Sequence, residues 1–437
     1  MKKILCILGI VIGVVATKVI QVDAQSLKAT TGVFALTGAK IVTVTMGTIN
    51  NGTIIIKDGK ISALGQNLVV PSDAQTIDCI GKTIYPGLID SSTNLGLLEI
   101  GQIPQASDRV EVGDINPQMK ALTAVNPNSV AIPITRISGV TTVLTSPEGG
   151  LVPGTAALVN LHGYTPDQMY AGFEGVVFNF PTTTRNGRND LRSEEEIKKK
   201  AEDKIKILTD LWEKALQYHK LDSASKGVGL SYYPEMQAML PVVRGTMPLL
   251  IEVNAQKDIQ AALKFVKEKK IKNVVFTGVA EGWREAKNIA EANIPVLAGP
   301  VIAIPYRDYD RYDAVYANPG KMKKAGVKVA LCSDRESHGN YRNLPYHAGF
   351  AVTYGMDKED ALKAITIVPA QIFGVSDRLG SIEVGKSATL FVCDGDIFET
   401  KTKVSEVFID GWRMPMQSRQ TLLYDEFLNR QPGLNKN

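Results

Sequence analysis

The residue types best suited to holding a transition metal or moving a proton near neutral pH are scarce in this chain of 437 residues. It has four histidines, His162, His219, His338 and His347, so an imidazole-rich metal centre would use nearly all of them. His162, in VNLHGYTP, and His219, near the end of a charged run, show no partner spacing. His338 and His347 follow Asp334 closely, and Arg335, Arg342 and Asn343 beside them are groups that could hold an anionic or amide-bearing ligand. Cys79, Cys332 and Cys393 are widely spaced, form no CxxC pair and sit in apolar runs (TIDCIG, VALCSD, LFVCDG), which suits small hydrophobes in strands.

Several elements must position these groups. Lys2 and Lys3 precede an apolar run from Ile4 to Ala16, and a polar stretch ends in Val22-Asp23-Ala24, the pattern of a secretory signal over 1–24. That places the mature protein in the periplasm or outside the cell, free of the membrane after cleavage. Both ends of the remaining chain read as β structure. AKIVTVT, TIIIKDGKISALG, SATLFVCD and VSEVFIDGWRM carry alternating apolar residues, with Asp58-Gly59 and Asp410-Gly411 as tight hairpin turns. Neither end has enough strands to close a sheet alone, so residues 25–85 and 379–437 are expected to pair into one small sandwich.

The middle, 86–378, alternates instead. VTTVLT (140–145), PLLIEV (248–253), NVVFTG (273–278), IPVLAG (294–299) and VKVALCSD (327–334) are apolar strands. Helical patterns lie at Glu194 to His219, Asp258 to Lys269, Glu281 to Ala292, and near Lys321, Phe350 and Ala361. Repeated strand–helix units of this kind predict an α/β fold, a (β/α)8 TIM-like barrel, with a doubly wound open sheet as the competing arrangement. Chemistry would then sit at the carboxyl ends of the strands. Hydrophobic residues make up 44% and charged residues 22%, which excludes disorder and a polytopic membrane protein, and a net charge of +4 gives no reason to expect nucleic acid.

The order of motifs resembles the amidohydrolase superfamily, particularly its imidazolonepropionase-like and dihydroorotase-like branches. The likeness runs through GKTIYPGLID, PLLIEVNAQKDIQAALKF, GVKVALCSDRES and RNLPYHAGFAVTYGMDKEDALKAITIVPAQIFGV to DRLGSIEVGKSATLFVCDGD. It implies a barrel with a shared sandwich, zinc as cofactor, and a metal-bound hydroxide that attacks a carbonyl-type carbon. Such proteins hold the metal with His-x-His after the first strand, a carboxylate or modified lysine after the fourth, and single histidines after the fifth and sixth. An aspartate after the eighth manages the proton. Carried over by position, the first-strand pair falls on Ser92 and Asn94, the fifth-strand ligand on Glu252, and the aspartate on Asp334, the catalytic candidate. The fourth-strand position has no assignment from the sequence. A hydroxyl and a primary amide are poor zinc ligands, so the usual site is not expected, while Asn94, Glu252 and Asp334 could offer oxygens to Mg²⁺ or Ca²⁺ instead. His338, Arg342 and Glu252 are the candidate substrate contacts.

Two readings remain open. In one, an exported hydrolase acts on a C–N bond of a cyclic amide or other non-peptide or peptide-like small molecule, with acid–base work by Asp334, Glu252 and His338. In the other, the same scaffold is a catalytically silent binding module, as an oligomer or as the partner of an active paralogue.

Overall fold

The computed structural model describes residues 28–101, 103–185, 191–225, 231–333 and 340–430. Two sheets organise the chain. The first begins with β1 (Phe34–Val42), β2 (Thr48–Lys57), β3 (Lys60–Gly65), β4 (Gln75–Asp78) and β5 (Thr83–Pro86). The second holds β6 (Leu88–Thr93), β7 (Val140–Thr145), β8 (Gly154–Asn160), β9 (Tyr170–Asn179), β10 (Leu249–Val253), β11 (Val274–Gly278), β12 (Val296–Ala298) and β13 (Val329–Leu331). The chain then returns to the first sheet as β14 (Leu390–Cys393), β15 (Val404–Ile409) and β16 (Trp412–Arg413).

The two chain ends meet in that first sheet, where β14 runs antiparallel to β5 with Leu390 opposite Pro86 and Cys393 opposite Thr83. Its two Asp-Gly turns pack against each other. Asp58, Gly59, Asp410 and Gly411 all have positive φ, as a two-residue hairpin requires. A Cβ on Gly411 would lie 2.4 Å from the Cα of Gly59, so only glycine allows the turns to approach this closely. Burial pushes the thiols of Cys79 and Cys393 up to about 11, so both act as the small hydrophobes their apolar surroundings suggest.

The barrel sheet has eight strands in chain order, and β13 comes round beside β6. Seven strands run parallel. The exception is β8, antiparallel to both β7 and β9, so the third unit crosses the sheet without a helix. Strands β8 and β9 are the ones the helix–strand alternation does not reveal, because no amphipathic helix separates them. The seam between β13 and β6 is spliced by another segment: Leu331 N–H donates to Ala364 O (2.9 Å) and Ile89 N–H to Ile365 O (2.9 Å). Asp90, fully buried, ties the same seam. Its Oδ1 accepts from the backbone N–H groups of Ser333 (3.1 Å) and Ser92 (3.4 Å), and its Oδ2 accepts a short bond from the Ser333 hydroxyl.

Period-two alternation sorts the barrel side chains. Leu144, Leu158, Val177, Leu250, Val275, Leu297 and Ala330 point inward and form one apolar cluster with Ala370, Phe373, Val375 and Leu379. The last four plug the amino-terminal end, where Phe373 packs at a tilt against Phe173 at the start of β9 (4.6 Å between ring centroids). Just beyond the plug, Lys386 Nζ donates to Ser376 O (2.7 Å) and Ser381 Oγ (2.6 Å) and pairs with Glu383 (3.1 Å). The GSIEVGK run is thus a knot that binds the plug to the first sheet.

Candidate functional site

Two residues along each strand from the apolar layer, the inward positions become polar. Val177 leads to Asn179, Leu250 to Glu252, Val275 to Thr277 and Ala330 to Cys332. Asn179, Glu252 and Cys332 line a cavity of about 840 Å³ at the carboxyl ends of β9 to β13. Glu148, Asn254, Asp258, Tyr306 and Ser333 also face it. Its described lining holds three acids and no lysine, arginine or histidine, so it suits a ligand that donates hydrogen bonds or carries positive charge.

Each acid is held differently. Glu148 pairs with Arg109 (3.3 Å). Asp258 is buried at the start of the helix Gln256–Lys269, and its Oδ1 accepts from both the N–H (2.9 Å) and the hydroxyl (2.6 Å) of Thr183, fixing one wall. Glu252 is half-buried at the end of β10. The opposite wall is the segment after β12. His347 is buried on the helix Leu344–Thr353, and its Nδ1 accepts from Val301 N–H (3.1 Å) and Ile302 N–H (3.2 Å). An Nδ1 that accepts twice leaves the ring proton on Nε2. Further along, Glu281 receives Arg307 through Nε (2.9 Å) and Nη2 (3.1 Å) and the Gln256 N–H (2.7 Å), while Arg284 pairs with Asp310. Burial alone would raise the Glu281 carboxyl, but the hydrogen bonds from Arg307 and Gln256 outweigh it and hold the group below the usual carboxylate range.

The structure separates several residues that the sequence groups together. Ser92 and Asn94, 2% and 0% exposed, do not line the cavity. Asn94 Nδ2 donates to Ser146 O (3.1 Å) beyond β7, and its buried Oδ1 has no partner. Of the three oxygen donors expected for a hard cation, Glu252 lines the cavity, Asn94 does not, and Asp334 lies outside the described residues. Arg342 is exposed in a short turn and lines a separate pocket of about 110 Å³ against the first sheet, so it is not a contact of this cavity. Asp334, Arg335 and His338 lie outside the described residues. His162 follows β8 and, because that strand is reversed, sits at the amino-terminal end. His219 lies on the helix Glu194–Ser225 with Ser223 Oγ 3.5 Å from its Nδ1.

Asn179, Asn254 and Cys332 are cavity residues beyond the sequence-based candidates, while Thr277, at an inward strand end, does not line the cavity. Asn179 marks the end of the fourth barrel strand, and the alternation Val177-Phe178-Asn179 was the signal that could have found it. Cys332 is buried as its apolar run suggests, but it borders the cavity. A catalytic zinc asks for about three nitrogen, sulfur or carboxylate donors. Among the described residues no three His, Cys, Asp or Glu side chains group in that way, and the Glu252 carboxylate and Cys332 thiol with the amides and hydroxyls at these strand ends do not make up a zinc set.

The amidohydrolase family matches residues 254–413. An amidohydrolase from Thermotoga maritima MSB8 superimposes with a TM-score of 0.78 at 26% identity, over 88% of this chain and 100% of that one. These matches support an amidohydrolase superfamily member. Imidazolonepropionase of Vibrio cholerae is 43% identical over 65 residues, 14% of this chain and 16% of that protein. Imidazolonepropionase of Syntrophobacter fumaroxidans is 37% identical over 109 residues, 24% of each. The chain thus matches only about a sixth to a quarter of the length of these curated relatives.

Proposed function

We propose that this superfamily member is an exported hydrolase that opens a C–N bond in a small cyclic or peptide-like amide, without a metal held by imidazoles. The observation that carries this reading is the acid-lined cavity at the carboxyl ends of the strands, with Glu252 on its inward face. An amide ligand offers N–H donors to Glu252 and Glu148 and a carbonyl to the Asn254 amide. Glu252 is the base of the described set: it takes the proton of an attacking water and returns it to the departing nitrogen, with Asp334 as the second acid. Export rests on the signal-like residues 1–24. Among the described residues no helix is long and apolar enough to cross a membrane.

The decisive experiment combines elemental analysis of the purified protein with a hydrolysis screen over imidazolones, dihydropyrimidines and dipeptides, with and without chelator. The expected result is chelator-resistant turnover that falls at least ~100-fold in Glu252→Gln. Stoichiometric zinc with chelator-sensitive turnover would overturn it. Saturable binding without turnover would select the second reading, a silent binding module working as an oligomer or beside an active paralogue. The hydroxyl of Ser92 and the amide of Asn94 at the first strand's end favour that alternative.

A further inference from the structure

A second site lies at the opposite end of the barrel. A pocket of about 180 Å³ opens where the amino-terminal face meets both chain ends, between Lys28, Pro127, Leu161 and Pro415. Its described polar lining residues are Lys28, Asn128, Arg136, His162 and Tyr164, every one of which can donate a hydrogen bond, and among the described residues no acid lines it.

Arg136 is the centre of this arrangement. It ends the helix Ala131–Arg136, and its Nη1 donates to Leu161 O (3.3 Å). Among the described residues its buried Nε has no partner, and no carboxylate acts on the guanidinium. Asp410 is engaged by Asn160 Nδ2 (2.9 Å) and acts on His162, where it opposes the lowering by burial and by Arg136. A guanidinium withdrawn from water without a counter-charge is costly, because charge desolvation is offset only by pairing. Burial lowers the Arg136 pKa, as an absent counter-ion requires. His162 packs at a tilt against Trp412 (5.4 Å between ring centroids, 46° between ring planes), so its ring is held at the pocket wall by the first sheet.

We propose that this pocket binds a small oxyanion, a carboxylate or phosphate group, with Arg136 as the charged donor and His162, Asn128 and Lys28 as neighbours. A planar guanidinium fork presents two parallel N–H groups to such an anion. The site lies apart from the barrel-mouth cavity and does not depend on its chemistry.

The test uses the full purified chain in two arms, thermal denaturation and titration calorimetry with inorganic phosphate and with acetate, each against sodium chloride at equal ionic strength. Saturable stabilisation by one of them is expected, with Kd weakened at least tenfold in Arg136→Gln and unchanged in Arg342→Gln. The more effective arm tells phosphate from carboxylate. No saturable effect in either arm, or the same Kd in Arg136→Gln, would overturn the proposal. Should Arg136→Gln fail to fold, crystals of the unaltered protein grown with tungstate decide: an anomalous peak within hydrogen-bond distance of Arg136 is expected, and a peak elsewhere or none overturns it.

Discussion

The two ends of the barrel are built on opposite plans. At the amino-terminal end, Ala370, Phe373, Val375 and Leu379 fill the bore, and the Ser381–Glu383–Lys386 knot fastens that plug to the sheet of the chain ends. At the carboxyl-terminal end the inward layer turns polar and a large cavity remains, walled by loops that single side chains pin in place. The run Thr366 to Lys386, inside the stretch that the amidohydrolase family matches, belongs to the packed end. Resemblance there reports how the barrel is closed and leaves the chemistry at the other end free to differ.

If this division holds, lesions at the packed end lower stability and lesions at the open end change ligand handling or local order. Phe373→Ala should lower unfolding free energy by about 4 kcal/mol in urea, since it empties the bore beside Phe173. Asp90→Ala probes a place where the open half also carries the fold. Loss of its charged bonds to Ser333 and Ser92 should destabilise by about 3 kcal/mol by the same measurement, and a negligible change would show that the Ala364–Ile365 splice closes the seam alone.

Gly411→Ala should cost about 2 kcal/mol through positive φ and collision with Gly59, read as a lowered Tm with the cavity's ligand affinity unchanged. Glu281→Gln should destabilise by about 1 kcal/mol overall while markedly speeding hydrogen exchange in residues 300–313. Because the folded Glu281 carboxyl lies below its unfolded value, its contribution is present above about pH 4.3 and lost as pH falls through the folded value. Exchange of that segment in the unaltered protein should therefore approach the variant's at acidic pH. Arg342→Ala should change stability by less than about 0.5 kcal/mol and leave ligand binding intact. A weakened ligand there would reconnect this turn to the cavity.

Much of the fold was legible from local pattern. Val140 to Thr145, Leu249 to Val253 and the two Asp-Gly turns are strands and hairpins because β-branched and apolar residues alternate or cluster between turn formers. Strands β8 and β9 escaped, since antiparallel neighbours need no intervening helix and the strand–helix rhythm is silent there. The site was only half legible. Glu252 falls at the cavity because the resemblance places it at a strand end and strand parity turns it inward. Asn94 could not be judged that way, because its amide turns to a carbonyl of the neighbouring strand's exit, a contact no spacing encodes.

By itself the sequence determined which elements form and which donors are available: few imidazoles, hydroxyl and amide groups after the first barrel strand, and acids at later strand ends. Those are properties of residue type and of repeats only a few residues long. Only the tertiary structure decided which donors share a space. It gathered Glu252 with Asn179, Asn254 and Cys332, sent Arg342 to another face, buried Asn94, and left Arg136 without a counter-charge among the described residues. Proximity among residues so distant in sequence depends on how the sheet curls and where the chain ends dock, a global result of packing that local chemistry does not specify.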